Sequence, residues 1–363
     1  MHRPSGTAAV SVLLVGLVLM SVPQASASST DVALRATAVN GDRPPSSFPT
    51  IAAAGDIACD PVSPAFHRLH GQPGACRMRY TSDLLVHARR KGNLAAVLTL
   101  GDNQYFCGGY RPFLRSYGQT WGRLKDLTHP TPGDHDYIIH SNPDASDCSD
   151  QADAAGYFRY FGDAAVDLDT GKSWYSFDVT TTDGTAWHII SLNAACEFVG
   201  GCGADSPQES WLRADLAANP ATCTLAYWYA PRFSSGRHGS DPAYSAFWKD
   251  LSAAGAEIVL NGHDHDYERF SPQMPDQQVS RDGIREFVVG TGGVGHEAMR
   301  RHRETNSVLA NDQTFGVLEL SLRPTSYHWQ FVAEKGHRFS DSGTGSCHPS
   351  PPFDGQPPTH LPP

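Results

Sequence analysis

The sequence is poor in charge, and basic residues are the scarcer sign. Of its 363 residues 18% are Asp, Glu, Lys or Arg, with 28 basic against 38 acidic side chains. The formal net charge of -10 argues against a protein whose main task is to grip nucleic acid phosphates or an anionic membrane surface. No CxxC pair occurs among the eight cysteines, which argues against a structural zinc cluster. The first apolar stretch, from Ala8 to Val22, has about 15 residues against the ~20 that span a bilayer, and no other run is longer. Internal repeats and composition breaks are missing too, so one large domain is expected. What the chain does have is 40% hydrophobic residues, enough for a full core, and 17 histidines, which raise the question of metal chemistry.

His2 and Arg3 precede the apolar stretch and Ala25-Ser26-Ala27 follows it as a small-x-small site. Residues 1–27 are therefore expected to be a signal peptide cut near Ala27, leaving a secreted protein with no membrane anchor. Residues 28–47, small and polar with Pro44-Pro45, read as a flexible leader, residues 48–345 as the folded domain, and residues 346–363 as a Pro-rich disordered tail. Export implies an oxidising environment, in which the cysteines are expected to pair. The expected local pairs are Cys59 with Cys76 and Cys196 with Cys202, across short loops of Gly, Pro and polar residues.

Within the domain, apolar or β-branched runs predict strands at Thr50 to Ala54, Ala95 to Leu100, Trp187 to Leu192, Thr222 to Tyr229, Glu257 to Leu260, Arg285 to Val289, Phe315 to Leu320 and Ser326 to Val332. Helices are predicted over Ser82 to Arg90, Gln208 to Ala217 and Pro242 to Ala254, with Thr81 and Ser206 as caps of the first two. The alternation points to a layered α/β fold.

Several of these strands end in glycine followed by a side chain able to hold a metal. Ala52-Ala53-Ala54 leads into Gly55-Asp56, Val97-Leu98-Thr99-Leu100 into Gly101-Asp102-Asn103, and Ile258-Val259-Leu260 into Asn261-Gly262-His263-Asp264-His265. A fourth segment, Pro132-Gly133-Asp134-His135-Asp136-Tyr137, repeats the turn-then-ligand pattern. Open α/β sheets place their sites at the carboxyl ends of strands, where glycine lets the backbone turn sharply. Singly, a Gly-Asp dipeptide reads as an ordinary turn. Together, carboxylates and a His-x-His on four loops are what two adjacent hard cations require.

The series Gly55-Asp56, Gly101-Asp102-Asn103-x-Tyr105, Gly133-x-His135-Asp136, Pro231-Arg232-Phe233-Ser234-Ser235-Gly236-x-His238-Gly239 and Asn261-Gly262-His263-x-His265-x-Tyr267-Glu268-Arg269 resembles the calcineurin-like metallophosphoesterases, most of all the purple acid phosphatase branch. The resemblance covers about residues 50 to 333. It implies a four-layer α/β/β/α sandwich of two mixed sheets with a dinuclear metal centre at one edge. By the same resemblance Asp56, Tyr105 and His265 bind the first metal, Asp102 bridges, and Asp134 and His263 bind the second. His135 and His238 act on the substrate phosphate and leaving group, and Tyr267-Glu268-Arg269 braces the loop. The implied activity is hydrolysis of phosphate esters, monoesters first, by a metal-bound hydroxide. The cofactors are two metal ions drawn from iron, zinc, manganese or magnesium, and the partner is a small phosphorylated substrate.

Three positions depart from the family pattern. Ala58 stands where the wider family has a first-site histidine, so Tyr105 completes that sphere. Asp134 stands where an asparagine is expected, which keeps an oxygen donor and adds a charge. Tyr229, in Tyr229-Ala230-Pro231, stands where a second-site histidine is expected, and a phenol of pKa ~10 is harder to recruit than an imidazole. The second site is thus expected to be weak, altered in metal preference or vacant. Two readings besides the monoesterase follow: a phosphodiesterase or nucleotidase on the same site, and a secreted binding protein whose second site is defective. Arg232 and Arg237 are candidates to steady a phosphate by forked hydrogen bonds. Gly290-Thr-Gly-Gly-Val-Gly295 lacks the Lys-Ser/Thr of a P-loop and reads as tight-turn geometry, and Arg300-Arg301-His302-Arg303 reads as a solvated loop.

Overall fold

Two mixed sheets are built from strands that the apolar runs foretold, together with several that they did not. In the computed structural model, which describes residues 48–137, 152–348 and 353–356, the strands of the first sheet are β1 (Thr50–Ala54), β2 (Leu94–Leu100), β3 (Thr128–Thr131), β11 (Gly316–Arg323), β12 (Ser326–Ala333) and β13 (Ser342–Ser346). The second holds β4 (Tyr175–Thr180), β5 (Ala186–Ser191), β6 (Cys223–Tyr227), β7 (Ile258–Asn261), β8 (Tyr267–Phe270), β9 (Arg285–Val289) and β10 (Ser307–Asn311). Their spatial orders are β13-β12-β11-β1-β2-β3 and β10-β8-β9-β7-β6-β5-β4. The pairs β1–β2, β2–β3, β5–β6, β6–β7 and β7–β9 are parallel and the remaining neighbours antiparallel. The expected signal segment and leader, with Cys148, lie outside the described residues.

The period-2 alternation of side chains sorts the second sheet into two faces. Ile189, Leu225, Tyr227, Ile258, Leu260, Phe287 and Val289 join Ile51, Val97, Leu98, Val317 and Leu318 of the first sheet in one buried cluster. The intervening residues Ile190, Ala226, Trp228, Val259 and Val288 form a second cluster with Leu212 and Leu216 of the helix Pro207–Ala218 and Phe247, Trp248 and Leu251 of the helix Ser245–Ala253. A third helix, Met78–Arg90, packs on the first sheet through Leu85. The layers are thus α/β/β/α. Each fully buried side chain of this size contributes about 1.5–3 kcal/mol, so the pair of sheets is a stiff frame for whatever stands on its edge.

Ser206 caps its helix as expected, its Oγ accepting from the Glu209 N–H at 3.3 Å. Thr81 does not cap. Its helix starts a turn earlier, at Met78, because that side chain is buried. The Thr81 hydroxyl instead donates to the Gly292 carbonyl at 2.6 Å and accepts from Trp121 Nε1 at 3.0 Å, tying the helix to the loop after β9. Both expected local disulfides form, Cys59–Cys76 and Cys196–Cys202, and a third joins Cys223 to Cys347. The expected tail boundary at residue 346 falls too early: β13 runs to Ser346, Cys347 is tethered to β6, and Phe353 packs against the second cluster.

Candidate metal centre

The carboxyl ends of β1, β2, β3, β6 and β7 meet at one edge, where backbone hydrogen bonds lace the loops together. The N–H groups of Asp56, Ile57 and Ala58 donate to the carbonyls of Gly101, Asp102 and Asn103 at 3.0–3.2 Å, and Gly262 N–H donates to the Tyr229 carbonyl at 2.9 Å. Asp56, Asp102 and His263 all sit in the left-handed backbone region, with φ of 58°, 43° and 73°. Non-glycine residues rarely adopt it, and their coincidence on three adjoining loops is the kind of strain that functional sites retain.

Three side chains converge there. The Tyr105 hydroxyl donates to Asp56 Oδ1 at 2.7 Å and lies 3.1 Å from His265 Nε2, which is itself 3.4 Å from Asp56 Oδ1. Next to them Asp102 is fully buried, and its Oδ1 accepts from the His135 N–H at 2.9 Å. Asp102, Asp134 and His135 each offer an atom within 4.8 Å of the others, a spacing that one metal ion closes. His263, held by its N–H on Asp56 Oδ2 at 2.8 Å, has a buried Nδ1 without a hydrogen-bond partner. The structure therefore gathers Asp56, Asp102, Tyr105, Asp134, His135, His263 and His265 on one edge.

The electrostatics of this edge are those of a cation site. Burial, then the neighbouring Asp134, Asp56 and Asp136, push the Asp102 carboxyl well above the usual carboxylate range. Burial followed by Asp102 and Asp56 does the same to the Tyr105 phenol. Burial lowers the pKa of His263, aided by His238, which leaves the neutral ring that ligates metals. At His265 burial opposes the charged form, but the charge and hydrogen bond of Asp56 outweigh it and raise the pKa. Among the described residues no arginine or lysine forms an ion pair with Asp56 or Asp102. Buried carboxylates with no arginine or lysine beside Asp56 or Asp102 among the described residues, an orphaned imidazole nitrogen and a mixed O/N donor set fit a divalent or trivalent cation.

Tyr229 does not extend into open space. Its hydroxyl donates to Asp102 Oδ2 at 2.5 Å, and its ring packs edge-on to His263 at 4.8 Å. Burial and then Asp102 raise its pKa well above that of free tyrosine, so it is a neutral donor here. The ring also lies against Gly101, where a Cβ would fall 2.3 Å from Tyr229 Cδ2 and φ is +86°. Gly101→Ala is expected to cost about 2–4 kcal/mol, from the left-handed penalty plus overpacking. Urea denaturation reads this directly; a loss below 1 kcal/mol on that scale would mean that the ring moves aside easily.

Several positioning residues escaped the sequence reading. Asp136 Oδ2 accepts from Gly133 N–H at 3.0 Å and from Asn103 N–H and Nδ2 at 3.2 and 3.0 Å, which locks the Asp134-His135 turn onto the β2 loop. Asp264 accepts from Ser234 Oγ at 2.5 Å, His238 N–H at 2.6 Å and Gly239 N–H at 3.2 Å, holding the loop that carries His238. Glu297 takes His238 Nε2 at 3.1 Å and Arg237 Nη1 at 2.8 Å. Asp136, Asp264 and Glu297 are visible only through their partners in space. Glu268, expected with Tyr267 and Arg269 to brace the loop, accepts from Ser235 N–H and Oγ at 2.7 and 2.6 Å, while Tyr267 and Arg269 both reach Asp341.

The arginines and glycines sort differently. Arg237 is exposed beside His238. Arg232 lies over the Phe233 ring at 4.4 Å, near Glu286, Glu304 and Asp241. Gly290 and Gly292 are packing glycines, since a Cβ on them would fall 2.0 Å from the Asp264 carbonyl and 2.3 Å from that of Gly55. Arg300 is no free loop residue: its Nη2 donates to the His238 carbonyl at 2.7 Å.

Two mixed sheets flanked by helices, with a ligand-rich edge at the ends of parallel strands, make this the calcineurin-like metallophosphoesterase fold. No family model matches the chain. Over 238 residues it is 26% identical to purple acid phosphatase 21 of Arabidopsis thaliana, covering 62% of this chain and 51% of that protein. The chain therefore spans about half the length of the curated relative it matches. Among solved structures it is similar to the purple acid phosphatase PPD1 from yellow lupin seeds, with TM-score 0.60, 17% identity, and 83% of this chain and 54% of that one covered. It is also similar to GAP50, the anchor in the inner membrane complex of Plasmodium, with TM-score 0.56, 13% identity, and 85% and 92% covered. In sequence and in fold the chain is thus similar to purple acid phosphatases.

Proposed function

We propose that the chain is a metal-dependent phosphoesterase that hydrolyses phosphate esters, monoesters first, at a dinuclear centre. The observation that carries this reading is the convergence of Asp56, Tyr105 and His265 beside buried Asp102. In it, Asp56, Tyr105 and His265 would hold the first cation and Asp134 and His263 the second, with Asp102 shared between them. Bound cations of this class supply Lewis acidity toward the phosphoryl oxygens and acidify a water. The iron, zinc, manganese and magnesium ions all suit parts of the donor set.

The rest is the work of the chain. His135 Nδ1 lies 2.9 Å from the Phe106 carbonyl, which makes that nitrogen a donor; Nε2 is assigned to a phosphoryl oxygen, which it meets as the second N–H donor of the imidazolium form. His238, oriented by Glu297 on its ring and Asp264 on its backbone, donates the proton that the leaving alkoxide needs as the ester P–O bond breaks and water oxygen bonds to phosphorus. Arg237, on the same loop, is assigned to the phosphate; Arg232, set among acidic groups, is the weaker candidate. Secretion belongs to the same proposal. It is supported by three disulfides, which oxidising compartments favour.

The test is an assay on a soluble aryl phosphate and its bis-aryl diester after reconstitution with iron, zinc or manganese. The monoester is expected to turn over faster; a metal-loaded protein that cleaves neither ester contradicts the proposal. A second reading, a binding protein with a defective second site, is favoured by one observation: the Tyr229 hydroxyl occupies Asp102 Oδ2.

A further inference from the structure

A cavity of about 310 Å³ opens beside the cluster, and none of the roles above uses it. Asp134 forms part of its wall, so it is continuous with the metal-ligand edge. Three aromatic rings, Tyr137, Phe198 and Tyr244, and two further carboxylates, Glu197 and Asp241, complete the polar and aromatic lining. Among the described residues no lysine, arginine or histidine lines it.

Each ring is held in place. The Tyr137 hydroxyl accepts from Asn193 Nδ2 at 2.9 Å, and its ring stacks on Phe198 at 4.7 Å and 24°. Tyr244 donates its hydroxyl to the Ala194 carbonyl at 2.9 Å. The loop that carries Glu197 and Phe198 is clipped by the Cys196–Cys202 disulfide. Such a pocket pays little ordering entropy when it binds. Phe198 is nonetheless 41% exposed, a large apolar ring left at the rim, and its ring partner among the described residues is Tyr137.

Aromatic faces and carboxylates without a basic residue are the recognition chemistry of an organic cation. We propose that this cavity receives the leaving group of the substrate, and that this group is an alkylammonium alcohol esterified to phosphate as a free monoester. The proposal rests on the phosphoesterase reading, because the cavity gains its meaning from a phosphate bound at the adjoining metal-ligand edge to which Asp134 belongs. An anionic leaving group, such as one bearing a carboxylate or a second phosphate, meets like charge on three sides and is selected against.

The experiment compares two isosteric monoesters on the metal-loaded protein: choline phosphate and 3,3-dimethylbutyl phosphate, which replaces the quaternary nitrogen by carbon. The expected kcat/KM ratio is about tenfold in favour of the cation, the scale of a desolvated cation–π contact. Phe198→Ala and Glu197→Gln are expected to bring the ratio toward one by lowering kcat/KM for the cationic ester more than for the neutral one. Equal turnover of the two esters by the parent protein overturns the proposal and leaves the phosphoesterase reading intact. Phosphatidylcholine vesicles are assayed alongside, and turnover confined to them overturns the free-ester assignment. Calorimetric titration with tetramethylammonium judges the cavity without catalysis: saturable binding weakened by Phe198→Ala supports it, and no binding overturns it even if no ester is cleaved.

Discussion

Asp102→Asn is expected to lower phosphoesterase activity by about 10³-fold or more, the equivalent of several kcal/mol of lost Lewis-acid stabilisation. Asparagine is the informative replacement because it tolerates the left-handed φ of 43° at this position, whereas alanine adds backbone strain. In metal-stripped protein the same substitution is expected to act in the opposite direction. Asp102 is fully buried among Asp134, Asp56 and Asp136, and its pKa is raised in the folded state. A carboxyl of that kind contributes its stability below the unfolded pKa of about 4 and loses it as pH rises. The metal-free variant should therefore melt above the metal-free parent at pH 7, with the gap closing toward pH 4. Thermal melts with and without chelator, beside the ester assay, check both halves. A variant that keeps full activity, or melts lower than the parent at pH 7 without metal, removes Asp102 from the centre of the site.

Tyr229→His is expected to raise zinc affinity at the second site by on the order of tenfold or more, the scale on which ligand and supporting residues tune metal binding. The phenol is a neutral donor to Asp102 Oδ2 at 2.5 Å, so it orients the carboxylate instead of adding a basic ligand. With Asp134 as a second carboxylate, the parent site is oxygen-rich and suits manganese or magnesium better than zinc. An imidazole at this position returns a nitrogen donor in a smaller ring, and the clearance that Gly101 gives the tyrosine accommodates it. Competition titrations of manganese against zinc measure the change. If activity appears in the histidine variant and is absent from the parent, the binding-protein reading prevails; if the parent is already active, that reading fails.

The candidate ligands at the strand ends were legible as a pattern because hydrophobic run, glycine and metal-capable side chain follow one another along the chain at Asp56, Asp102 and His263; parallel pairing of β1 with β2 sets the first two side by side, and His263 reaches Asp56 from the second sheet. The carboxylates that hold the loops were not. Asp136, Asp264 and Glu297 sit beside motif residues, but their function is a set of hydrogen bonds to segments as much as 60 residues away. In the fold, β3 was missed because Thr128-His129-Pro130-Thr131 has no strand pattern; as an edge strand it tolerates the proline. The β13 strand was missed for a related reason. Ser342-Gly-Thr-Gly-Ser346 has no apolar face, and its glycines lie under the rings of Trp329 and Tyr327, where a Cβ would fall 2.3 and 2.2 Å from ring atoms. The strand is dictated by the aromatic residues of its neighbour β12, which no local propensity reveals.

The central claim, that this sheet edge is a metal centre, is tested most directly by the metal content of the purified protein after reconstitution with iron, zinc or manganese and removal of loosely bound ions. The expected result is about two cations per chain, as a dinuclear clamp requires, falling sharply in Asp102→Asn; with ferric iron on Tyr105, a visible charge-transfer band accompanies them. A well-folded parent protein that retains no metal under these conditions contradicts the account.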